Sequence, residues 1–322
     1  MEIANNTNKM WTMLLHLGTN MWSKPGCAEY SETLLCEMDC WEKVTSFLPE
    51  CGINTLLIDI GEGIIFDSHP ELAIEGSLPK DTFKKELERL RSIGITPLPK
   101  FNFSSGHSGW AKQYANMIGS PVYSKLCRDL IEETIDLFDR PEFFHLGMEE
   151  ETAEDQANFP IAAVRSPYKL IDDANDLFET CRKNGVRPWM WADPHLVETF
   201  GGEKDFTGNV PKDVLLSNWY YGFVSPDYKN SEALFSHSGR IGVYNKLDHW
   251  GYEQVPACSA LIDPRNMDQT MRYCKDTFEH PENLRGFVSA PWCFTLREFY
   301  YSLCHEAWSF GLAKKAVFPE CK

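Results

Sequence analysis

Residues 142–151 read Glu-Phe-Phe-His-Leu-Gly-Met-Glu-Glu-Glu, so a short apolar run ends in a glycine and three consecutive carboxylates. Three like charges in a row repel one another, and folding stability offers little reason to place them there. One interpretation is a solvated loop. The other is chemistry. Where Glu149 and Glu150 share a site, the charge of one raises the proton affinity of the other, and two carboxyls in different protonation states supply an acid and a charge-stabilising group together. Cleaving a glycosidic bond needs that combination: a proton for the leaving oxygen and a second group for the oxocarbenium-like centre. Regular strand alternation sends Glu149 and Glu150 to opposite faces, so the pleat has to break here for both to serve one pocket.

The elements that must position these acids follow from the apolar pattern. Strand-like runs at 11–18, 53–60, 95–103, 142–147, 186–192, 214–220, 239–245 and 284–291 alternate with helical patterns at 39–50, 79–92, 121–138, 167–184, 227–237, 264–279 and 296–311. The second run, INTLLIDI, is continuously apolar up to its aspartate, as in a strand buried on both faces. Pro79 suits the first turn of a helix, and Gly185 the end of one. This alternation predicts an α/β fold: a single-domain (β/α)8 barrel over residues 1–322, with 1–10 as a flexible tail. A doubly wound open sheet is the competing architecture. Against it, Gly61-Glu62-Gly63 after the second run lacks the third glycine of a phosphate loop and puts an acid where phosphate would sit.

Catalytic groups of such barrels gather at the C-terminal ends of the strands. In chain order those ends carry His16, then Asp59 and Glu62, then Lys100, Asn102 and His107. The fourth carries His145 with Glu149 to Glu151, and the fifth Trp189, Trp191, Asp193 and His195. The sixth carries Asn218, Trp219 and Tyr221, the seventh Tyr244, Asn245 and Asp248, and the eighth Trp292 and Glu298. Aromatic platforms mixed with carboxylates and amides suit a sugar ring, which has apolar C–H faces and hydroxyl edges. Each residue also has a plainer role. The tryptophans can cap the barrel core, Asp193 before Pro194 can cap a turn, and His145 inside a strand can be a packed core histidine. Lys100 inside an apolar strand is costly alone, which predicts an ion pair with Asp59 or with a fourth-strand glutamate.

The segment His145-Leu146-Gly147-Met148-Glu149-Glu150 resembles the His-x-Gly-Gly-Asp-Glu motif of glycoside hydrolase family 20, the β-N-acetylhexosaminidases. The resemblance implies a (β/α)8 barrel with this motif after the fourth strand. It also implies a general acid at Glu150 and, at Glu149, the residue that holds the 2-acetamido group as that group attacks the anomeric carbon. Trp189-Met190-Trp191-Ala192-Asp193 resembles the family's fifth strand. Trp219 is similar to its sixth-strand tryptophan and Tyr244 to its seventh-strand tyrosine. Ser289-Ala290-Pro291-Trp292 with Glu298 resembles its eighth-strand tryptophan and hydroxyl-binding glutamate. His16, Asn102 and His145 complete the expected sugar-binding set. The chain departs from the motif in three ways: Glu149 stands where the family has Asp, one methylene longer in a tight acetamide site; Met148 replaces the second Gly; and the first strand offers His16 and Asn20 but no Arg.

The expectation is therefore a retaining, exo-acting glycosidase for a β-linked N-acetylhexosamine or related sugar, with no cofactor or metal and a small carbohydrate or glycoconjugate as its partner. Two alternatives stay open. One is a metal-dependent sugar isomerase or hydrolase with Glu150, Asp193 and His195 as ligands. The other is a carbohydrate-binding barrel without catalysis. The net charge of −16 and pI near 5.0 argue against nucleic acid and anionic membrane as partners. No run approaches the roughly 20 apolar residues that span a bilayer. Eleven cysteines, an odd number with no CxxC pair, and a polar N-terminus point to reduced thiols, no structural zinc and a cytoplasmic location. The oligomeric state is not readable.

Overall fold

The computed structural model describes residues 9–19, 22–24, 27–28, 31–153, 156, 163–224 and 240–321. The apolar runs become eight short parallel strands: β1 (Met10–His16), β2 (Thr55–Asp59), β3 (Thr96–Lys100), β4 (Phe143–His145), β5 (Arg187–Trp191), β6 (Leu215–Ser217), β7 (Ala257–Cys258) and β8 (Gly286–Ser289). They form one sheet in the order β6-β5-β4-β3-β2-β1-β8-β7. Isolated parallel bridges, Leu216 to Gln254 and Trp219 to Ala257, join β6 to the β7 segment. Val255 N donates to Leu216 O and Ala257 N to Asn218 O, each at 2.9 Å. The sheet thus curls into a (β/α)8 barrel.

Alternation along each strand sorts side chains into two layers. Leu14, Leu57, Leu98, Phe143, Trp189, Leu215 and Val288 fill the barrel interior. Met13, Leu15, Leu56, Ile58, Phe144, Met190 and Phe287 face the helices. These helices are α1 (Met38–Phe47), α2 (Lys80–Ser92), α3 (Pro121–Leu137), α4 (Pro167–Lys183), α5 (Pro194–Thr199), α6 (Gly202–Asn209), α7 (Arg240–His249), α8 (Asn266–Thr277) and α9 (Tyr300–Val317). Three of them start on a capping side chain followed by proline: Ser120-Pro121, Ser166-Pro167 and Asp193-Pro194. Along α3, Tyr123, Leu126, Cys127, Leu130, Ile131, Thr134 and Ile135 form the three-and-four-spaced stripe that docks on the barrel.

The expected seventh strand at 239–245 is a correction. Residues 240–249 are α7, and the strand that pairs with β8 is Ala257–Cys258. The apolar run Ile241-Gly242-Val243-Tyr244 is too short to fix a period. The burial of Ile241, Tyr244, Leu247 and Asp248 is helical, while Pro256 disguises the real strand. The expected helix at 227–237 lies outside the described residues. Two helices between β5 and β6, α5 and α6, had no counterpart in the sequence pattern. The cysteines from Cys36 to Cys321 are free thiols, most of them buried. Among the described residues no helix is long and apolar enough to cross a membrane.

Candidate active site

The C-terminal ends of β1 to β4 hold a layer of polar side chains in register: His16 beside Asp59, Asp59 beside Lys100, Lys100 beside His145. Lys100 Nζ donates to Asp59 Oδ2 at 2.6 Å, and His16 Nδ1 lies 3.6 Å from the same oxygen. All four residues are essentially inaccessible. Burial holds His16 down at about 4, so its imidazole is neutral. Burial, then the Lys100 charge, holds His145 well below the ordinary imidazole range. His145 Nδ1 accepts from Gly147 N at 3.0 Å, and its ring sits 4.9 Å from Trp189 and 4.6 Å from Trp191. His145 is thus the packed core histidine that was its plainer role, although its Nε2 is buried without a partner.

Immediately above this floor the pleat breaks. Gly147, Met148 and Glu150 have φ of +74°, +67° and +51°. A left-handed conformation at two non-glycine residues is strained, and such strain persists where surrounding structure imposes it. Asn102 is part of what imposes it, since its Oδ1 accepts from Met148 N at 3.2 Å and from Ser104 Oγ at 2.6 Å. A β-carbon at Gly147 would lie 2.5 Å from Asn102 Cα and 2.3 Å from its Oδ1. Gly147→Ala is therefore expected to cost about 3 kcal/mol, from backbone strain and overpacking together. Thermal or urea unfolding measures this, and a variant as stable as the parent would show that the turn relaxes freely.

Each of the three carboxylates leaves the turn toward a partner of its own. Glu149 Oε1 accepts from Asn102 Nδ2 at 2.8 Å. Glu150 Oε2 pairs with His107 Nε2 at 3.1 Å. Glu151 accepts from Arg165 Nε at 2.6 Å and from the backbone N of Ser105 at 3.3 Å. Arg165 and Glu151 are buried together, and Arg165 also donates to Asp173 and Phe103 O. The third acid is thus a structural pin that fixes the turn between β4 and the β3 loop.

Burial, reinforced by the neighbouring charges of Glu150 and Asp193, lifts Glu149 to about 7 against the opposing pull of His107 and Lys100. Burial also pushes Glu150 upward, but the hydrogen bond and charge of His107, with Arg240 and His195 beyond, outweigh it and hold Glu150 below the usual carboxylate range. Burial likewise depresses His107, yet Glu150 and Glu149 raise it above the ordinary imidazole value. Adjacent residues of one type thus occupy opposite electrostatic states. His107 was visible only as a strand-end residue in the sequence. Its pairing depends on the Ser105–His107 turn that folds it back over β4.

The rim is aromatic. Trp191 and Trp292 lie 6.1 Å apart, Trp292 and Tyr221 6.3 Å, and Tyr221 stacks on Trp219 at 5.6 Å. His16 contacts Trp292 at 6.0 Å. Trp292 itself takes a left-handed φ of +47°. Asp193 caps α5 through Oδ1, which accepts from His195 N at 2.8 Å, while its buried Oδ2 has no partner. Arg240, at the start of α7, lays its guanidinium 3.6 Å above the Trp219 ring. Arg240 had no signal in the sequence, since a helix start in place of a strand brings it there.

Two expected sugar-binding residues are not brought to this mouth. Tyr244 is on α7 and packs in the outer layer, its hydroxyl 3.4 Å from Ala257 O on the outside of the wall. Glu298 is exposed on the 3-10 turn Arg297–Phe299. The buried glutamate of that quarter is Glu306, which accepts from Ser289 Oγ at 2.9 Å between β8 and α9. Among the described residues, no three His, Cys, Asp or Glu side chains converge as a metal-binding group.

Neither a family model nor a curated protein sequence matches the chain. Solved structures do. The family 20 catalytic modules of StrH, a pneumococcal exo-β-D-N-acetylglucosaminidase, are similar with a TM-score of 0.61 at 15% identity, covering 97% of this chain and 84% of that one. The family 20 β-N-acetylhexosaminidase of Streptomyces coelicolor gives 0.59 at 11%, covering 93% and 64%. A family 5 endoglucanase from Clostrdium longisporum gives 0.55 at 13%, covering 97% of each chain. The likeness is one of fold: the chain is a (β/α)8 barrel of the kind on which these glycosidases are built.

Proposed function

We propose that this barrel is a glycoside hydrolase, retaining and exo-acting on a β-linked N-acetylhexosamine or related sugar, with Glu150 and Glu149 as its catalytic pair. The observation that carries the proposal is the electrostatic division of the pair at an aromatic-walled mouth. Glu150, about a quarter exposed, shares a proton with His107. When a sugar ring displaces water from Glu150, its neutral form gains, and the proton held on His107 Nε2 passes to Glu150 and on to the leaving oxygen. Glu149, fixed by Asn102, receives the 2-acetamido N–H in its ionised form, so that the acetamido oxygen attacks the anomeric carbon as the C–O bond breaks. Water then opens the cyclic intermediate, and Glu150, now the general base, takes a proton from that water, which restores the pair with His107. His16, Trp191, Asp193, Trp219 and Trp292 are the proposed sugar contacts. Asn102 and His145 act through the turn that carries the acids.

This scheme fixes a pH profile. Glu149 has to be ionised, so kcat/KM falls as the pH drops through about 7. The alkaline limb follows loss of the proton shared by His107 and Glu150, and lies above the ordinary imidazole range because His107 is raised. Hydrolysis of an aryl β-N-acetylglucosaminide across pH 4 to 10, on the order of one reading per half unit, measures both limbs. An acid limb near the usual carboxylate range would remove Glu149 from the assigned role.

A second scheme is favoured by one observation, the high proton affinity of buried Glu149. In it Glu149 is the acid and the ionised Glu150 stabilises the positive centre. Leaving-group dependence separates the two.

A further inference from the structure

We propose that the sugar accepted at this mouth carries an acidic group (a carboxylate, sulfate ester or phosphate ester) gripped by the guanidinium of Arg240 on the β6 side. This specifies the substrate of the glycosidase proposed above and rests on that assignment. Arg240 Nη1 is buried and has no hydrogen-bond partner. A desolvated guanidinium edge without an acceptor is costly, and it has to recover that cost from something that binds. The nearby acids do not provide it. Glu150 and Asp193 feel the Arg240 charge. Yet the hydrogen bond of Glu150 goes to His107 and that of Asp193 Oδ1 to the start of α5, while Asp193 Oδ2 bonds to no group, Arg240 included. The indole below holds the guanidinium flat at 3.6 Å, so its fork of N–H groups stays oriented instead of sweeping through solvent.

Beside the buried acceptors Asp193 Oδ2 and Asn218 Oδ1, the same wall carries several further donors. The indole N–H groups of Trp191, Trp219 and Trp292 are also buried without acceptors. A neutral hydroxyl brings a donor with every acceptor, whereas an acidic group brings acceptors alone, and a guanidinium edge fits two of its oxygens at once. The chain's net charge of −16 makes a general anion-collecting surface improbable, so an exposed-side attraction does not account for this arginine. Were Arg240 present only to pack on Trp219 and hold Glu150 ionised, it would serve neutral and acidic sugars alike.

Titration calorimetry with N-acetylglucosamine, its 6-sulfate, its 6-phosphate and glucuronate tests this without requiring turnover. At least one acidic sugar is expected to bind roughly tenfold or more tightly than the neutral one at low salt, with the advantage shrinking as salt rises. Which acid binds best distinguishes carboxylate, sulfate and phosphate. Arg240→Gln is expected to erase the advantage, and Arg240→Lys to keep part of it. Equal binding of neutral and acidic sugars by the parent protein, binding of none of the acidic sugars, or equal weakening of both by Arg240→Gln overturns the inference. Because the parent protein alone can fail this test, poor folding of a variant does not protect the inference. Hydrolysis of neutral aryl hexosaminides with no acidic preference would leave the glycosidase standing and remove this inference. Arg240-dependent binding with no hydrolysis of any aryl glycoside would do the reverse.

Discussion

Glu150→Gln is expected to lower kcat/KM about 10³-fold on a β-N-acetylglucosaminide whose leaving group is a poor one, in line with the roughly 10²–10⁴ contributed by a positioned general acid. On a dinitrophenyl glycoside, which departs without a proton, the same variant should lose less than about tenfold. The contrast arises because glutamine keeps the shape of the side chain and its place beside His107 but has no proton to give. Glu149→Gln should instead lower both substrates alike, since in the proposed scheme the group that steadies the acetamide is needed whatever leaves. If the leaving-group contrast appears in Glu149→Gln and not in Glu150→Gln, the proton on the buried acid is the catalytic one and the two roles exchange.

Lys100→Met is expected to cost about 3–5 kcal/mol, the usual result of stranding one member of a buried ion pair. Asp59 and Lys100 are both excluded from water, and their 2.6 Å contact is the centre of the floor. The double variant Lys100→Met with Asp59→Leu should recover most of that loss, because two apolar groups strand no charge. Equilibrium urea unfolding of the single and double variants makes the comparison. A single variant within about 1 kcal/mol of the parent would mean that Asp59 is satisfied otherwise. Lys100 is also one of the charges that pull Glu149 downward, so in any folded Lys100→Met protein the acid limb of activity should move to higher pH.

The barrel was legible because its strands announce themselves. The β2 run is apolar along most of its length, and Lys100 within β3 required a buried acid that Asp59 supplies. The break in the pleat after β4 was legible for the same reason: two adjacent acids cannot share a pocket on a regular strand, and Gly147 permits the bend. Illegible were features that depend on where a loop returns. His107 reaches Glu150 only because a 3-10 turn folds it back. Glu151 looked like its neighbours, and nothing in its spacing showed that Arg165 would claim it. Tyr244 and Arg240 were misplaced or missed together, because one short apolar run fits a strand and a helix equally well until its burial is known.

Seven of the eight neighbour contacts around the ring are ordinary strand ladders, while the eighth, between β6 and β7, is held by isolated bridges. Trp219 forms one of those bridges and also supports the guanidinium of Arg240. The ring therefore closes on the same residue that carries the cation of the mouth. On the proposed function, a sugar seated on Trp219 is expected to raise the resistance of this seam to opening.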